Sequence, residues 1–512
     1  MTDMSPSSSR GNLILARKGA TYHWKMRDPH EPSESLAYLP ATEMLRRLEE
    51  GVLSSRELVQ TLLTRIEAID APSSATSLNA VAALSEDVLV VAEQRDAERA
   101  RGEVRGALHG IPIVIKDNIE AIGLPGLAGS TALRGRASRD APLVTRLREA
   151  GAIVMASTNL SQWANIRSVR STSGYSSSGG LVGNPWALDR SAGGSSSGSG
   201  AAVAAGLAPL AVGTETDGSI VCPASVNGVV GLKPTVGNVP ANYVVPISAS
   251  QDSPGPMARS VRDVALLYSV LGASPQPAPL TPRIAVANNW RTGNPETDQL
   301  FDDFVARLRA TGATMLERDV ALPGDEESAD EEAVLLAELF DDLTSYLKDR
   351  PGDGVTSLAD VIAYEDEHRD IEQRFFGHDL FLKAMGTGGR AGDAYQQSRA
   401  RNLKWAVETC LTPGLDGADV LIAPSYGPSW KSDLAVGGHP GPASVATMAP
   451  AIAGWPIMSL PLGLVQGLPV GLAVIARPDC EWTIIDAASM FEHLISESNP
   501  LPPPSWSPPS RG

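Results

Sequence analysis

The chain of 512 residues has only three cysteines, and they form no metal-binding or disulfide-rich pattern. Cys222, Cys410 and Cys480 lie far apart in the sequence, so neither a disulfide framework nor a zinc site is expected. The seven histidines contain no His-x-His or His-Glu-x-x-His pair. These absences predict a protein that holds no metal ion.

The chain also lacks the run of about 18 apolar residues that a membrane-spanning helix requires. Its first residues, MTDMSPSSSRGN, contain no basic stretch followed by an apolar one, so they do not resemble a secretory signal. We therefore expect no membrane segment, and a cytoplasmic location is the default expectation.

Positive charge is in deficit, with 42 Lys and Arg residues against 59 Asp and Glu and a formal net charge of −17. Nucleic-acid binding depends on Lys and Arg that neutralise phosphates, so no general nucleic-acid-binding surface is expected, although a local basic groove would be compatible. Hydrophobic residues make up 43% of the chain and charged residues 20%, which is typical of a globular protein and excludes wholesale disorder.

The chain divides into three regions by composition. Residues 1–35 are polar and are interpreted as an N-terminal arm, residues 36–498 as one large domain, and residues 499–512 as a proline-rich tail. The length alone would suggest three domains at roughly 150 residues each, but large α/β enzymes often exceed this as one core.

Hydrophobic spacing indicates an α/β architecture. A helix is predicted from about residue 41 to a stop at Gly51, and Ser54 with Glu57 fits a capping box that opens the next helix. Residues 109–116 (HGIPIVIK) read as a buried strand, and residues 143–155 as a helix, a stop and a strand. Further predictions are a charged helix near residues 93–105, a buried helix over 201–212 and a solvated helix start in the acidic run 324–332.

Three segments do not fit a purely structural role. Lys116 ends a buried strand, where lysine is rarely found without a partner; an ion pair with Asp117 or another carboxylate is the alternative interpretation. The run SAGGSSSGSG over 191–200 has a linker's composition, yet it enters an apolar segment, and no Gly-Lys-Ser/Thr follows to make it a phosphate loop. The third segment, DGSI from Asp217, is a tight turn whose successive amides can form an anion nest.

Together these three segments resemble the amidase signature family. The matching blocks are LHGIPIVIKDNI, SAGGSSSGSGAAVAAG and GTETDGSIVCPASVNGVVGLKPT, followed later by VLIAPS and GLPVGL, so the resemblance extends over roughly residues 40–490. TETDGSIVCPA and the stretch ISASQDSPGPMARSV are similar to the bacterial peptide amidases, which hydrolyse C-terminal peptide amides. The chain departs from the commoner family pattern within the serine-rich block, and it has Asp217 where many members have glycine and Val221 where many have arginine.

The resemblance implies a fold and a set of site residues. The fold would be a large mixed, mainly parallel twisted β-sheet sandwiched by helices. The implied roles are as follows: Ser219 as nucleophile, Ser195 as a bridging serine after a cis peptide bond from Gly194, Lys116 as base, and the backbone N–H groups of Thr216, Asp217, Gly218 and Ser219 as the oxyanion hole. Asp117 would orient its neighbours, and Ser173 would support the site. No cofactor is implied.

The chemistry requires these residue types. A serine hydroxyl is a weak nucleophile until a base accepts its proton. A lysine can act as that base only when neutral, which means lowering its pKa from about 10.4 to about 7, and burial supplies such a shift.

The resemblance implies hydrolysis of a carboxamide through an acyl-enzyme on Ser219, with the C-terminal amide of a peptide as the expected substrate. The expected partners are thus a small-molecule or peptide amide only, and the expected state is a monomer or homodimer. The alternatives are an aryl-acylamide or aliphatic amidase, the glutaminase subunit of a tRNA-dependent amidotransferase, and a non-catalytic binding protein of the same fold.

Overall fold

An 11-stranded mixed sheet forms the centre of the described part of the chain. The structure is a computed structural model, and it describes residues 36–71, 77–135, 137–272, 274, 276–277, 281–350, 354–437 and 444–504. The predicted N-terminal arm and most of the predicted proline-rich tail lie outside these residues.

Helices and short strands alternate through the first half of the chain. In order they are α1 (Ala41–Glu49), α2 (Ser55–Ile69), β1 (Val81–Leu84), α3 (Val88–Ala100), β2 (Pro112–Lys116), α4 (Pro142–Glu149), β3 (Ile153–Thr158), a 3-10 turn (Gln162–Asn165), β4 (Tyr175–Ser176), β5 (Gly180–Leu181), β6 (Gly183–Asn184), β7 (Ala187–Ser191), α5 (Ser197–Ala204), β8 (Leu210–Glu215), α6 (Val221–Asn227), β9 (Val230–Lys233), β10 (Ser253–Ala258) and α7 (Val261–Leu271).

The second half adds a group of helices and the remaining strands. They are β11 (Ile284–Ala287), α8 (Pro295–Ala310), β12 (Met315–Arg318), α9 (Asp325–Asp349), α10 (Leu358–Glu367), α11 (Arg369–Glu372), α12 (Asp379–Thr387), a 3-10 turn (Gly389–Ala391), α13 (Asp393–Leu403), a π-helical segment (Lys404–Leu411), α14 (Thr412–Gly414), β13 (Val420–Pro424), α15 (Met448–Ala453), β14 (Ile457–Val465), β15 (Leu468–Ile475) and α16 (Glu481–Ser496).

The strand order in the large sheet is β1-β3-β2-β8-β10-β9-β14-β15-β13-β11-β12. Parallel pairs occur on the two flanks, in β3-β2-β8 and in β13-β11-β12, and the pairs between them are antiparallel. The mixed α/β fold predicted from the sequence is therefore confirmed, but parallel pairing does not prevail through the sheet. Part of the reason is local, because β14 and β15 form a hairpin closed by Gln466 and Gly467, and a hairpin can only be antiparallel. The pairs β1–β3, β8–β10, β10–β9, β9–β14 and β13–β15 are also antiparallel.

Several local predictions are confirmed. Helix α2 begins with the predicted capping box, in which the Ser54 side chain accepts from the Glu57 N–H and the Glu57 side chain accepts from the Ser54 N–H. Strand β2 is buried along its whole length, as its aliphatic sequence indicated. The helix, stop and strand predicted over residues 143–155 appear as α4 and β3.

The apolar run 201–212 was predicted to be one buried helix, and this prediction was wrong. Helix α5 ends at Ala204, and the chain then turns at Gly206, which has a φ of +68°, before it enters strand β8 at Leu210. A left-handed glycine followed by Pro209 ends a helix, and both signals were present in the sequence. The charged helix expected near residues 93–105 begins earlier, at Val88, and ends at Ala100.

The acidic run 324–332 does begin a helix, α9, but its acidic residues are not all solvated as expected. Asp330 and Glu331 are buried, with exposures of 6% and 8%. The Arg401 side chain pairs with Asp330, and the Gln251 amide donates to Glu331 at 3.0 Å. Tertiary packing thus turns one face of this acidic segment inward.

The apolar core lies on both faces of the large sheet, and a smaller cluster joins α9, α10 and α12 to Trp163. Within the described residues, no helix is long and apolar enough to cross a membrane. The carboxyl ends of β2 and β8, the segment before α5 and the face of α9 meet at one place, where the predicted site residues lie.

Candidate active site

The serine-rich segment 191–200 is packed into the interior and is not a linker: it ends β7 at Ser191, turns over residues 192–196 and enters helix α5 at Ser197. The peptide bond between Gly194 and Ser195 is cis, and Gly193 has a φ of +68°. Ser195 is fully buried, and its carbonyl accepts a hydrogen bond from the Ser161 N–H at 3.1 Å. A side chain at Gly194 would collide with the Ser161 hydroxyl, so the close approach of the two segments requires glycine there.

The Lys116 ammonium group at the end of β2 contacts the Ser195 hydroxyl. Lys116 Nζ lies 2.6 Å from Ser195 Oγ, and it also donates to the Thr214 hydroxyl at 2.8 Å and the Thr214 carbonyl at 3.1 Å. The lysine side chain is fully buried. Because β2 and β8 are adjacent parallel strands, their carboxyl ends bring Lys116 and Thr214 to the same edge.

Burial lowers the pKa of Lys116 to about 7, while the negative charges of Asp252 and Glu215 act in the opposite direction. No ion pair with a carboxylate holds this lysine in the described part of the chain. Lysine in such surroundings exchanges its proton near neutral pH and can serve as a base.

Asp117 is directed away from the lysine. Its carboxylate accepts hydrogen bonds from the N–H groups of Gly126 and Leu127, at 3.2 and 3.1 Å. Burial raises the pKa of Asp117 to about 7, and these N–H donors oppose the rise. Asp117 therefore holds the loop that follows β2; the alternative ion pair between Asp117 and Lys116 is absent.

The turn after β8 carries Ser219. Glu215 accepts hydrogen bonds from the N–H groups of Ile220 and Val221 at 2.6 and 2.8 Å, which fixes the far side of the turn. The Ser219 carbonyl accepts from the Ser196 N–H at 3.1 Å, so the turn lies against the segment that contains Ser195. Ser219 is largely buried, with an exposure of 8%.

The backbone donors of this turn differ in their availability. In the part of the chain that the structure describes, the N–H groups of Thr216, Asp217 and Ser219 donate to no protein acceptor. The Gly218 N–H instead helps to lower the pKa of Glu215, whose carboxyl is otherwise shifted upward by burial. Of the four donors predicted for an oxyanion hole, three are thus free, and the fourth faces the Glu215 carboxylate.

Two further contacts hold the turn in place. The Thr216 hydroxyl donates to Asp252 Oδ1 at 2.5 Å. Gly218 has a φ of +74°, and a side chain there would lie 2.6 Å from the Tyr426 hydroxyl, so both backbone conformation and space require glycine.

Ser173 lies beside the cis peptide bond. Its hydroxyl accepts from the Asn165 amide at 3.0 Å. A Cβ atom at position 194 would lie 3.1 Å from Ser173 Cβ, so Ser173 leaves no room for a side chain there. The structure therefore brings Ser173 to the site as a packing partner of Gly194.

The Asp217 side chain, noted in the sequence as a departure from the commoner family pattern, interacts with Glu331, which the sequence did not indicate. Burial raises the pKa of Asp217 to about 6, and the Thr447 hydroxyl opposes the rise. Burial and the nearby Asp217 charge raise the pKa of Glu331 well above its ordinary value. The negative charge of each carboxyl therefore disfavours ionisation of the other.

Sequence reasoning missed several residues that shape the site. They are Asn118, Ser161, Ser196, Thr214, Glu215 and Asp252. Ser196 and Thr214 lie within the matched blocks, but only the fold reveals that Ser196 Oγ donates to the Thr214 carbonyl at 3.0 Å and accepts from its N–H. Asp252 lies 36 residues from Thr216, and nothing in the local sequence links them.

The site offers no cluster of metal ligands. Among the described residues, no group of three or more His, Cys, Asp or Glu side chains lies close enough together to hold a metal ion. The groups that suit proton transfer and the binding of a developing oxyanion are the Lys116 amine, the serine hydroxyls and the backbone amides, and the carboxyls of Glu215, Asp217 and Asp252 lie around them.

Comparisons with known proteins find relatives over most of the chain. The family model described as Amidase matches residues 57–485. The crystal structure of a peptide amidase from Stenotrophomonas maltophilia superimposes with a TM-score of 0.84 at 37% identity, covering 93% of this chain and 100% of that one.

Curated relatives are similar over most of their length. A putative amidase of Schizosaccharomyces pombe is 31% identical, covering 88% of this chain and 84% of the relative. A glutamyl-tRNA(Gln) amidotransferase subunit from Symbiobacterium thermophilum is 32% identical, covering 91% of this chain and 98% of the relative.

Proposed function

The chain belongs to the amidase signature family and is a hydrolase of carbon–nitrogen amide bonds, and from that premise we propose that it cleaves C-terminal peptide amides through an acyl-enzyme on Ser219. In this proposal Lys116 is the base and Ser195 relays the proton. The backbone N–H groups of the turn at residues 216–219 stabilise the oxyanion.

One observation carries the proposal: a fully buried lysine, with a pKa of about 7, donates to the Ser195 hydroxyl at 2.6 Å. A structural lysine would be paired with a carboxylate, whereas this one faces hydroxyls and a carbonyl. A neutral amine so placed accepts a proton from Ser195, and Ser195 in turn accepts one from Ser219. That second transfer is the step that the proposal adds to the observed contacts.

The reaction then proceeds in two halves. Ser219 Oγ attacks the amide carbonyl carbon as its proton passes through Ser195 to Lys116. The carbonyl oxygen becomes an oxyanion that accepts hydrogen bonds from the free N–H groups of Thr216, Asp217 and Ser219. Each good donor contributes about 2.7–4 kcal/mol to such a transition state.

Collapse of this intermediate breaks the carbon–nitrogen bond, and the proton returns through Ser195 to the departing nitrogen. Ammonia leaves, and an ester remains on Ser219. Water, deprotonated by the same relay, attacks the ester and releases the carboxylic acid.

Two features favour a peptide amide as the substrate. The similarity to the peptide amidase of Stenotrophomonas maltophilia extends over that whole protein. The segments TETDGSIVCPA and ISASQDSPGPMARSV also resemble the bacterial peptide amidases. The first contains the turn that carries Ser219, and the second contains Asp252, which accepts a hydrogen bond from the Thr216 hydroxyl of that turn.

The second candidate function is glutamine hydrolysis as a subunit of a tRNA-dependent amidotransferase. The 32% identity to the amidotransferase subunit from Symbiobacterium thermophilum supports it. The net charge of −17 weighs against docking beside a tRNA.

The test is ammonia release by the purified chain. N-acetylated dipeptide amides, free glutamine, an anilide and a short aliphatic amide are compared, with Ser219→Ala as the inactive control. The proposal expects the peptide amides to give the highest kcat/KM. A preference for glutamine would contradict the peptide amide assignment, and equal ammonia release by Ser219→Ala would contradict the nucleophile.

A further inference from the structure

A second fully buried lysine, Lys233, ends strand β9, against which helix α6 packs. Its Nζ donates to the Pro234 carbonyl at 3.3 Å, and within the described residues no hydrogen bond or salt bridge joins it to a carboxylate. Lysine is almost never fully buried without a charged partner. A long hydrogen bond to one carbonyl does not offset a buried positive charge, so a carboxylate has to act on Lys233 through space.

The strand register places Lys233 on the same face of the sheet as Glu215. Glu215 of β8 pairs with Ser253 of β10, and Met257 of β10 pairs with Gly231 of β9. Directly paired residues lie on one face, and residues two apart along a strand share that face. Glu215 and Lys233 therefore both lie on the face that helix α6 covers, where the helix leaves no room for a side chain at Gly231.

Glu215 is a carboxylate that needs a positive charge nearby. It is 1% exposed, and its Oε2 accepts from the N–H groups of Ile220 and Val221. Its Oε1 is buried and has no hydrogen-bond partner among the described residues. Burial raises the pKa of Glu215, and the positive charge of Lys233 is the strongest influence that lowers it. Without that charge, a carboxyl group in these surroundings takes up a proton.

The hydrogen bonds to Glu215 come from both sides of Ser219 in the chain. The N–H groups of Ile220 and Val221 follow the proposed nucleophile, and the Gly218 N–H, which helps to lower the pKa of Glu215, precedes it. Hydrogen bonds to an ionised acceptor are roughly twice as strong as those to a neutral one. Protonation of Glu215 would therefore loosen the turn exactly where Ser219 is held.

We propose that the positive charge of Lys233 keeps Glu215 ionised, and that Lys233 is thereby a positioning residue for the nucleophile Ser219. The inference rests on the proposed function, because it concerns how the same turn is held in its reactive geometry. Lys233 transfers no proton and touches no substrate, since it acts through Glu215. The two buried lysines then have opposite tasks: Lys116 loses its charge to act as the base, and Lys233 retains its charge.

Three carboxyl groups act on Lys233, and they come from three places in the fold. They are Glu215 at the end of β8, Asp217 in the turn that follows and Glu481 at the start of α16. Burial lowers the pKa of Lys233 to about 8, and these three negative charges oppose the fall. Glu481 is held in place, because its Oε1 accepts from the Thr235 N–H at 2.7 Å. Lys233 is therefore mostly protonated at pH 7.

Three other titratable groups lie within range of the Glu215 charge. Burial raises the pKa of the Cys222 thiol to about 12 and that of the Tyr426 hydroxyl well above its ordinary value, so both stay neutral between pH 5 and 9. The third group is Lys116, whose pKa the Glu215 charge raises against the effect of burial. A change in the charge of Glu215 therefore also moves the pKa of the proposed base.

The first test compares the pH profile of Lys233→Met with that of the wild-type chain, by ammonia release from one N-acetylated dipeptide amide. Methionine is similar to lysine in length but uncharged, so Glu215 loses its cation and takes up a proton at higher pH. We expect kcat/KM at pH 7 to fall at least about tenfold, the acid limb to move upward by at least about one pH unit, and the activity to recover by pH 9. An acid limb at the wild-type position would overturn the proposal.

Glu215→Gln tests whether Lys233 acts through Glu215. The amide oxygen still accepts an N–H, and the loss of the negative charge lowers the pKa of Lys116, so the acid limb should move downward. The double variant Lys233→Met, Glu215→Gln should show the same limb and a kcat/KM within about threefold of Glu215→Gln, because the cation then has no carboxylate to keep ionised. Losses that multiply in the double variant would contradict the proposal, since they would mean that Lys233 acts independently of Glu215.

Denaturant unfolding supplies a measurement that does not depend on catalysis. Lys233→Met should lower the midpoint denaturant concentration, and the additional Glu215→Gln change should raise it again, because it removes the uncompensated buried carboxylate. If Lys233→Met is too unstable to assay, the double variant should still fold and show the acid limb of Glu215→Gln. A double variant less stable than Lys233→Met would contradict the proposal.

Arg259→Met is the matched control for the loss of a cation. Arg259 donates to the carbonyls of Val203 at 2.9 Å and Leu39 at 2.7 Å, which lie outside the turn that carries Ser219. Its replacement should lower the denaturant midpoint but leave the acid limb at the wild-type pH. An equal shift of the limb in Arg259→Met and Lys233→Met would contradict the specific role of Lys233.

The outcomes separate this inference from the function on which it rests. Ammonia release with an unmoved acid limb in Lys233→Met overturns the inference and leaves the hydrolase assignment standing. Absence of ammonia from every amide overturns the proposed function, and the denaturant midpoints then decide whether Lys233 keeps Glu215 ionised.

Discussion

The pKa of Lys116 controls the pH dependence of the proposed reaction. Burial lowers this pKa from 10.5 to about 7. A shift of that size corresponds to about 5 kcal/mol of free energy that disfavours the charged form. At pH 7.5 a large share of this lysine is neutral, whereas only about 0.1% of an ordinary lysine side chain would be.

The sign of the pH effect follows from the role of the base. The neutral amine accepts the proton, so protonation inactivates the site. We expect kcat/KM to rise tenfold per pH unit below about 7 and to level off above it. The assay is ammonia release from a peptide amide between pH 5 and 9, at constant ionic strength.

Asp252→Asn is a near-isosteric variant that tests the origin of the shift. The negative charge of Asp252 raises the pKa of Lys116 against the effect of burial. Its removal should therefore move the acid limb of the kcat/KM profile to lower pH. An acid limb near the ordinary lysine value, or one that moves upward in Asp252→Asn, would refute the reasoning. Lys116→Ala should remove the acid limb of the kcat/KM profile and most of the ammonia release.

Three further predictions concern the remaining contacts. Ser219→Ala should abolish ammonia release while Ser195→Ala keeps slow residual turnover, because the nucleophile and the free N–H donors remain; equal loss in both variants would contradict the separate roles. Thr214→Val should lower kcat about tenfold with little change in KM, since Lys116 loses one of its hydroxyl contacts; an effect on KM alone would contradict this. Glu215→Ala should lower the free energy of unfolding by about 2–4 kcal/mol, because it leaves two buried N–H groups unpaired, whereas Glu215→Gln keeps an acceptor and should lose less in a denaturant titration.

The sequence predicted the parts of the site that reside in contiguous motifs. Lys116 at the end of a buried strand and the glycine-rich turns around Ser195 and Ser219 are local signals, and the resemblance joined them into one hypothesis. The α/β class followed from alternating helical and strand periods.

What the sequence could not predict depends on distant contacts. Thr214 meets Lys116 only because β2 and β8 are neighbours in the sheet, a choice set by packing and not by local spacing. Glu331 appeared to be part of a solvated acidic run, yet α9 turns it toward Gln251 in the interior. The prediction of one helix over 201–212 was wrong because small apolar residues suit a buried helix and a buried strand equally well. The left-handed turn at Gly206 ends the helix and separates it from strand β8.

The most direct test of the account is the covalent intermediate. The wild-type chain is mixed with an N-acetylated peptide amide, quenched in acid within milliseconds, digested and analysed by mass spectrometry. The account predicts an added acyl mass on the peptide that contains Ser219, and its loss in Ser219→Ala. An acyl mass on the peptide that contains Ser195 would contradict the account. Ammonia release by Ser219→Ala at the wild-type rate would contradict it as well.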